Sequence, residues 1–133
     1  MAWWSGHCVA IYSRVLSHEG ELLAGISNSI VGIHRDCYGR GPTKAKTYMF
    51  DNYVVTVFED FLTTVENTLV ENGKEGLVRE VRLTFQEEVA DRFIQAVSQV
   101  TGREVLTYHS QVTFHPPRGF EIFVLKPLNG WDA

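Results

Sequence analysis

The sequence predicts an α+β domain in which helices pack against an antiparallel sheet of two hairpins. Three observations carry that prediction. Apolar residues recur at helical spacing over about 17–38 and again over about 75–101. Two pairs of short strand-like segments are joined by the turn residues Asp51-Asn52 and Pro116-Pro117-Arg118-Gly119. The resulting order, α-β-β-α-α-β-β, lacks the strand–helix–strand alternation that builds a parallel sheet. At 133 residues the chain fits one domain. It divides into an N-terminal extension over 1–15, the α+β domain over 16–127 and a C-terminal tail over 128–133.

The elements follow in chain order. Leu22, Leu23, Ile26, Ile30, Ile33 and Cys37 fall on one helical face, and Gly39-Arg40-Gly41-Pro42 ends that helix. Strands over 44–50 and 53–59 then meet around a two-residue turn. This register sets Phe50 opposite Tyr53, Tyr48 opposite Val55, Lys46 opposite Val57 and Lys44 opposite Glu59. One hairpin face is Ala45, Thr47, Met49, Val54, Thr56 and Phe58, which suits a core. The other carries Lys44, Lys46, Tyr48, Phe50, Tyr53 and Val55. Thr63 and Glu66 form a capping box for a short helix that stops at Asn72-Gly73. One long helix is expected from Glu75 to Thr101, closed by Gly102. In the strand over 104–114, Leu106, Tyr108, Val112 and Phe114 share one side, opposite Thr107, His109, Gln111 and Thr113. Phe120 to Leu125 reads as apolar on both faces, the pattern of a central strand.

A net charge of −4 argues against a general affinity for DNA or anionic lipid. Charge is unevenly spread. Residues 35–46 hold four bases and one acid, whereas residues 59–91 hold nine acids and three bases. Cys8 and Cys37 make no C-x-x-C pair and read as reduced thiols of a cytosolic protein, with Cys37 buried and Cys8 more accessible. The N-terminus lacks the basic and apolar regions of a signal peptide, and no apolar run is long enough for a transmembrane segment. Trp3 and Trp4 fit a frayed terminus or packing on the domain's own surface better than a bilayer contact.

A search for chemistry finds no catalytic or metal constellation and no need for a cofactor. His18-Glu19 begins an H-E-x-x-H pattern, but Leu22 stands where the second ligand belongs. His109 and His115 lie roughly 20 Å apart along a strand, too far to share a metal. Gly39-x-Gly41 lacks the G-K-[ST] of a phosphate loop.

Two features remain. The basic, aromatic hairpin face beside Arg40 suits base stacking, or cover by a second layer or a subunit. On the long helix, two apolar stripes together span roughly 220°, more than one sheet requires. Arg79, Arg82 and Gln86 fall between these stripes, as snorkelling side chains, as a polar seam across an interface or as an anion site.

The runs Gly39-Arg40-Gly41-Pro42-Thr43-Lys44-Ala45-Lys46, Val78-Arg79-Glu80-Val81-Arg82, Phe85-Gln86, Asp91-Arg92-Phe93, Thr101-Gly102-Arg103-Glu104-Val105 and Glu121-Ile122-Phe123-Val124-Leu125 resemble the MpsC family of bacterial domains. The resemblance covers about 20–127. It implies a component of a Na+-translocating, membrane-potential-generating system, linked to ion or bicarbonate transport and bringing no catalytic residue set. The signature residues it carries over are Arg40, Lys44, Arg79, Arg82, Gln86 and Arg103, to which the hairpin face adds Lys46. The expected function is a non-catalytic accessory or regulatory protein, homodimeric, cytoplasmic and peripheral to the inner face of the membrane, with a transporter subunit as partner. The alternatives are a small-anion or nucleotide sensor built on the Arg/Lys signature and an RNA-binding sheet.

Overall fold

Antiparallel strands with short connections leave one sheet face for the helices to cover, and the chain folds in that way. A computed structural model describes residues 6–128, with side chains from residue 18 onward. The elements are α1 (Gly6–Tyr38), β1 (Lys44–Phe50), β2 (Tyr53–Glu59), α2 (Thr64–Glu71), α3 (Glu75–Glu88), α4 (Ala90–Thr101), β3 (Val105–Thr113) and β4 (Arg118–Leu125). The four strands form one antiparallel sheet in the order β1-β2-β4-β3. The α+β class and the order of elements agree with the sequence prediction. Trp3, Trp4 and the C-terminal tail from residue 129 lie outside the described residues, as does the Cys8 side chain.

The β1–β2 hairpin has the expected register, from Lys44↔Glu59 through Phe50↔Tyr53. Asp51 takes φ 59° at the turn, a conformation that short polar side chains tolerate. Thr47, Val54, Thr56 and Phe58 face inward and are buried. The capping box of α2 is also present: Glu66 N donates to Thr63 Oγ1 at 3.2 Å and Thr63 N to Glu66 Oε1 at 2.9 Å.

The inner face of the sheet carries two core clusters. Ile26, Ile30 and Ile33 of α1 and Phe93 and Val97 of α4 pack on Val54, Phe123 and Leu125. Phe58, Phe61, Leu62, Val78 and Val112 form the second cluster. Cys37 is only partly buried against the first, less than its place on the apolar stripe predicts.

Three elements depart from expectation. The first helix begins already at Gly6. The segment from Glu75 to Thr101 is two helices, because Val89 leaves the helical region at φ −106° and ψ 11°. The break lets α3 lie on α2 and β3 while α4 lies along α1. In β3 the register shifts between Val105 and Thr107. This irregularity puts Val105 against the core and leaves Leu106 half exposed, whereas strict alternation gives Leu106 the core side.

Candidate functional site

Two features of the fold concentrate chemistry: a polar seam buried under the inner face, and an apolar outer face that no core cluster includes. The seam starts in β4. Its inward residues are Gly119, Glu121, Phe123 and Leu125, so a glutamate sits in the middle of a buried sheet face with 0% exposure. The register aligns Thr47, Thr56, Glu121 and Ser110 into one polar row across all four strands. Treating Phe120 to Leu125 as apolar on both faces therefore overlooks the one charged residue within that segment. Period-two alternation from Phe123 is the signal that finds it.

A buried carboxyl needs partners. Glu121 Oε1 lies 3.2 Å from His34 Nε2, and Glu121 Oε2 lies 2.5 Å from the Tyr108 hydroxyl. That hydroxyl also lies 3.0 Å from Gln86 Oε1. Burial, followed by the charge and hydrogen bond of Glu121, pushes the Tyr108 pKa far above the tyrosine range. Tyr38 is raised too, chiefly by burial, with Arg82 and a contact from Gln86 opposing the rise. Ser27, Thr47 and Thr56 extend the polar row through hydroxyl contacts of 2.7 and 2.8 Å.

Arg82 is 1% exposed, so α3 turns its polar seam into the core and leaves Leu77, Val81 and Phe85 facing out. Of the apolar stripe expected here, Val78 is buried beside Arg82 and Gln86, whereas Val81 and Phe85 face out. The reason is a counterion in the same chain. Arg82 Nε and Nη2 both reach Glu66 at 2.6 Å, and Nη2 also reaches Phe61 O at 3.1 Å. The guanidinium carbon lies 3.9 Å from the Tyr38 ring and 5.0 Å from that of Phe61. Burial alone would raise the Glu66 pKa. Hydrogen bonds from Arg82 and Thr63, with the Arg82 charge, outweigh it and hold the carboxyl below its ordinary value.

The other signature residues are dispersed. Arg40 donates to Leu62 O and Asp60 O at 2.8 and 2.7 Å and pairs with the Asp60 carboxylate. The Thr43 hydroxyl and Arg40 hold Asp60 below its ordinary pKa. Arg79 reaches Val112 O at 3.4 Å and lies over Phe114. Arg103 donates to Lys126 O at 2.8 Å. Lys44 and Lys46 are exposed on β1, with Lys46 over the Tyr48 ring at 5.1 Å. The structure thus brings Arg82 and Gln86 to the buried seam and Lys44 and Lys46 to one sheet edge. It keeps Arg40, Arg79 and Arg103 apart, each bonded to backbone carbonyls.

The outer face is built from alternate residues of the same strands. Tyr48, Phe50, Tyr53, Val55, Val57, Phe120, Ile122 and Val124 adjoin one another through the registers Tyr48↔Val55↔Ile122 and Phe50↔Tyr53↔Val124. None belongs to a core cluster of the described residues, and Phe50 and Tyr48 are 63% and 47% exposed. Lys44 and Lys46 line its β1 edge and form no ion pair among the described residues. His109 and Gln111 border the β3 edge.

Among the described residues no group of three or more His, Cys, Asp or Glu side chains is placed to hold a metal ion, and no helix is long and apolar enough to cross a membrane. Sequence comparison bears on the whole domain. Residues 18–127 match the family described as Na+-translocating membrane potential-generating system (MpsC). The chain is similar to Uncharacterized protein YbcI of Bacillus subtilis (strain 168), with 24% identity over 113 residues, 84% of this chain and 89% of YbcI. No solved structure matches. The family match spans both hairpins and the helices between them, so the chain belongs to the MpsC family.

Proposed function

We propose that this domain is a non-catalytic accessory component of a membrane-potential-generating, Na+-translocating system, and that it docks on a partner subunit through the outer face of its sheet. The observation that carries the reading is the face of eight adjoining apolar residues, which no layer among the described residues covers and on which Tyr48 and Phe50 are exposed. Soluble domains seldom leave such a patch open unless something binds there. The partner it fits is a protein segment with an apolar stripe flanked by acids, lying across the sheet and meeting Lys44 and Lys46 on the β1 edge. Membership of a family named for such a membrane system supports the same reading.

Two alternatives gain less from the geometry. Base stacking needs aromatic platforms, and the aromatics of β1 and β2 occupy the turn end of a face whose centre is Val55, Val57 and Ile122. An anion sensor needs free cations. Arg82 and Arg40 already face Glu66 and Asp60, and Arg79 and Arg103 are bonded to carbonyls. Homodimerisation is part of the proposal, with the exposed Leu77, Val81 and Phe85 of α3 as the surface a second copy would cover.

The experiment is co-purification from detergent-solubilised native membranes, comparing wild type with Tyr48→Ser/Phe50→Ser. These side chains are exposed, so the fold should hold to within about 0.5 kcal/mol. Retention of a transport subunit by wild type and at least tenfold less by the double variant is the expected result. Equal recovery by both proteins would remove the sheet face from the account.

A further inference from the structure

With Glu121 ionised and the Gln86 carbonyl turned to Tyr108, the hydrogen atoms of the buried seam do not add up. A tyrosine hydroxyl carries one hydrogen, yet Tyr108 Oη sits between two acceptors, Glu121 Oε2 at 2.5 Å and Gln86 Oε1 at 3.0 Å. Gln86 Nε2 and the Tyr38 hydroxyl are meanwhile buried without a hydrogen-bond partner among the described residues, although the two side chains meet. Two arrangements satisfy every one of these atoms. With Glu121 ionised, Tyr108 donates to the carboxylate and accepts from the Gln86 amide, whose carbonyl then accepts from Tyr38. With Glu121 protonated, the carboxylic acid donates to Tyr108, Tyr108 donates to the Gln86 carbonyl, and the amide donates to Tyr38. The two differ by one proton on Glu121 and a half-turn of the Gln86 amide.

We propose that Glu121 is a buried proton-binding residue, and that proton uptake there reverses the hydrogen-bond chain Glu121–Tyr108–Gln86–Tyr38. The proton comes from solvent and ends on Glu121 Oε2; no other bond is made or broken. A cleft of about 330 Å³ lined by Gln86, Glu87, Tyr108, His109 and Ser110 lies on the β3 side of the chain and is the route this proposal assigns to the proton.

The groups around Glu121 fit that role. From α1 come His34, at 3.2 Å, and Tyr38. From α3 come Gln86 and Arg82, and the Arg82 charge is cancelled by Glu66 of α2. From β2 and β3 come the uncharged Thr56 and Ser110 at the paired positions, and from α4 the Phe93 ring against His34 and Tyr108. Glu121 Oε1 accepts from His34 Nε2–H in either arrangement, so the reversal leaves that contact intact. Tyr38 is the output. Its ring lies 3.9 Å from the Arg82 guanidinium and 5.2 Å from Phe85, which is on the surface. Proton occupancy at the centre of the sheet is thereby linked to the packing of α1 against α3. This inference does not depend on the docking reading.

NMR titration of the folded protein tests it, following the Glu121 side-chain carboxyl carbon, the Gln86 side-chain amide and the Tyr38 and Tyr108 rings from pH 4 to 9. The expected result is one shared single-proton transition in all four signals. Glu121→Gln, a permanent mimic of the protonated acid, should abolish it. His34→Gln, which keeps a donor to Glu121 but does not titrate, should retain it. A Glu121 carboxyl signal that never moves while the protein stays folded would overturn the proposal, and the wild type alone decides that point. A transition that survives Glu121→Gln or disappears in His34→Gln would overturn it equally.

Discussion

Arg82 shows what a sequence discloses about a residue and what it withholds. Its position between apolar stripes, four residues before Gln86, marks it as out of place on a helix surface. Its partner is not legible, because Glu66 lies on another element and already has a role as the capping-box residue of α2. The folded chain gives that carboxylate both tasks. Removing the guanidinium therefore strands a partly buried carboxylate within the same chain. Arg82→Met should lose about 3–5 kcal/mol of folding stability in urea denaturation. Sedimentation should show its oligomeric state unchanged, since the counterion is intramolecular. Glu66 also gives an acid limb with a definite sign. Its pKa is lowered on folding, so its contribution is complete above the ordinary value of 4.5 and is lost as pH falls through the lowered folded value. Wild type should lose stability below about pH 4.5, and Glu66→Gln should flatten that slope. An unchanged slope would contradict the assigned role.

At the scale of elements, local rules were legible and their interruptions were not. The β1–β2 register and the α2 capping box followed from turn chemistry and residue spacing. The break at Val89 has no Gly or Pro to announce it. The buried face stays nearly in phase across it, from Val78, Arg82 and Gln86 to Phe93 and Val97, so periodicity alone joins the two helices. The bulge after Val105 is hidden for a similar reason, because Val105 and Leu106 are both apolar and either one suits a core position. Gly119 is a constraint that only packing discloses. It faces Phe58 across the β2–β4 pair, and a Cβ there would fall 2.0 Å from the Phe58 ring. Phe58 is 1% exposed and has no room to retreat. Gly119→Ala should cost about 1–3 kcal/mol, measurable as a lowered urea midpoint. Pairing it with Phe58→Leu should recover part of the loss.

For the molecule as a whole, the one-sided layering follows from the order of elements, and the apolar outer face follows from alternation along β1, β2 and β4. Helices packed on an antiparallel sheet and the aromatic, basic β1–β2 half of that face were legible in the sequence; its continuation across β4 and the lack of a second layer among the described residues were not. Alternation also held the signal for Glu121, but the apolar residues on either side of it concealed a charge that only the packing of α1 on the sheet and the pairing with β3 bring to His34 and Tyr108. The two faces of β4 then divide the labour, with Glu121 under the helices and Phe120 and Ile122 open toward a partner. The central claim is that the open face docks on a subunit of a membrane system. Site-specific photo-crosslinking in living cells tests it most directly, with a benzophenone side chain placed in turn at Phe50 and Tyr48 on the face and at Val65 and Thr84 away from it. The account predicts an adduct with one integral membrane protein from the two face positions, lost when Lys44 and Lys46 are both changed to Glu. Adducts of equal yield from Val65 or Thr84, or none from Phe50 and Tyr48, would contradict it.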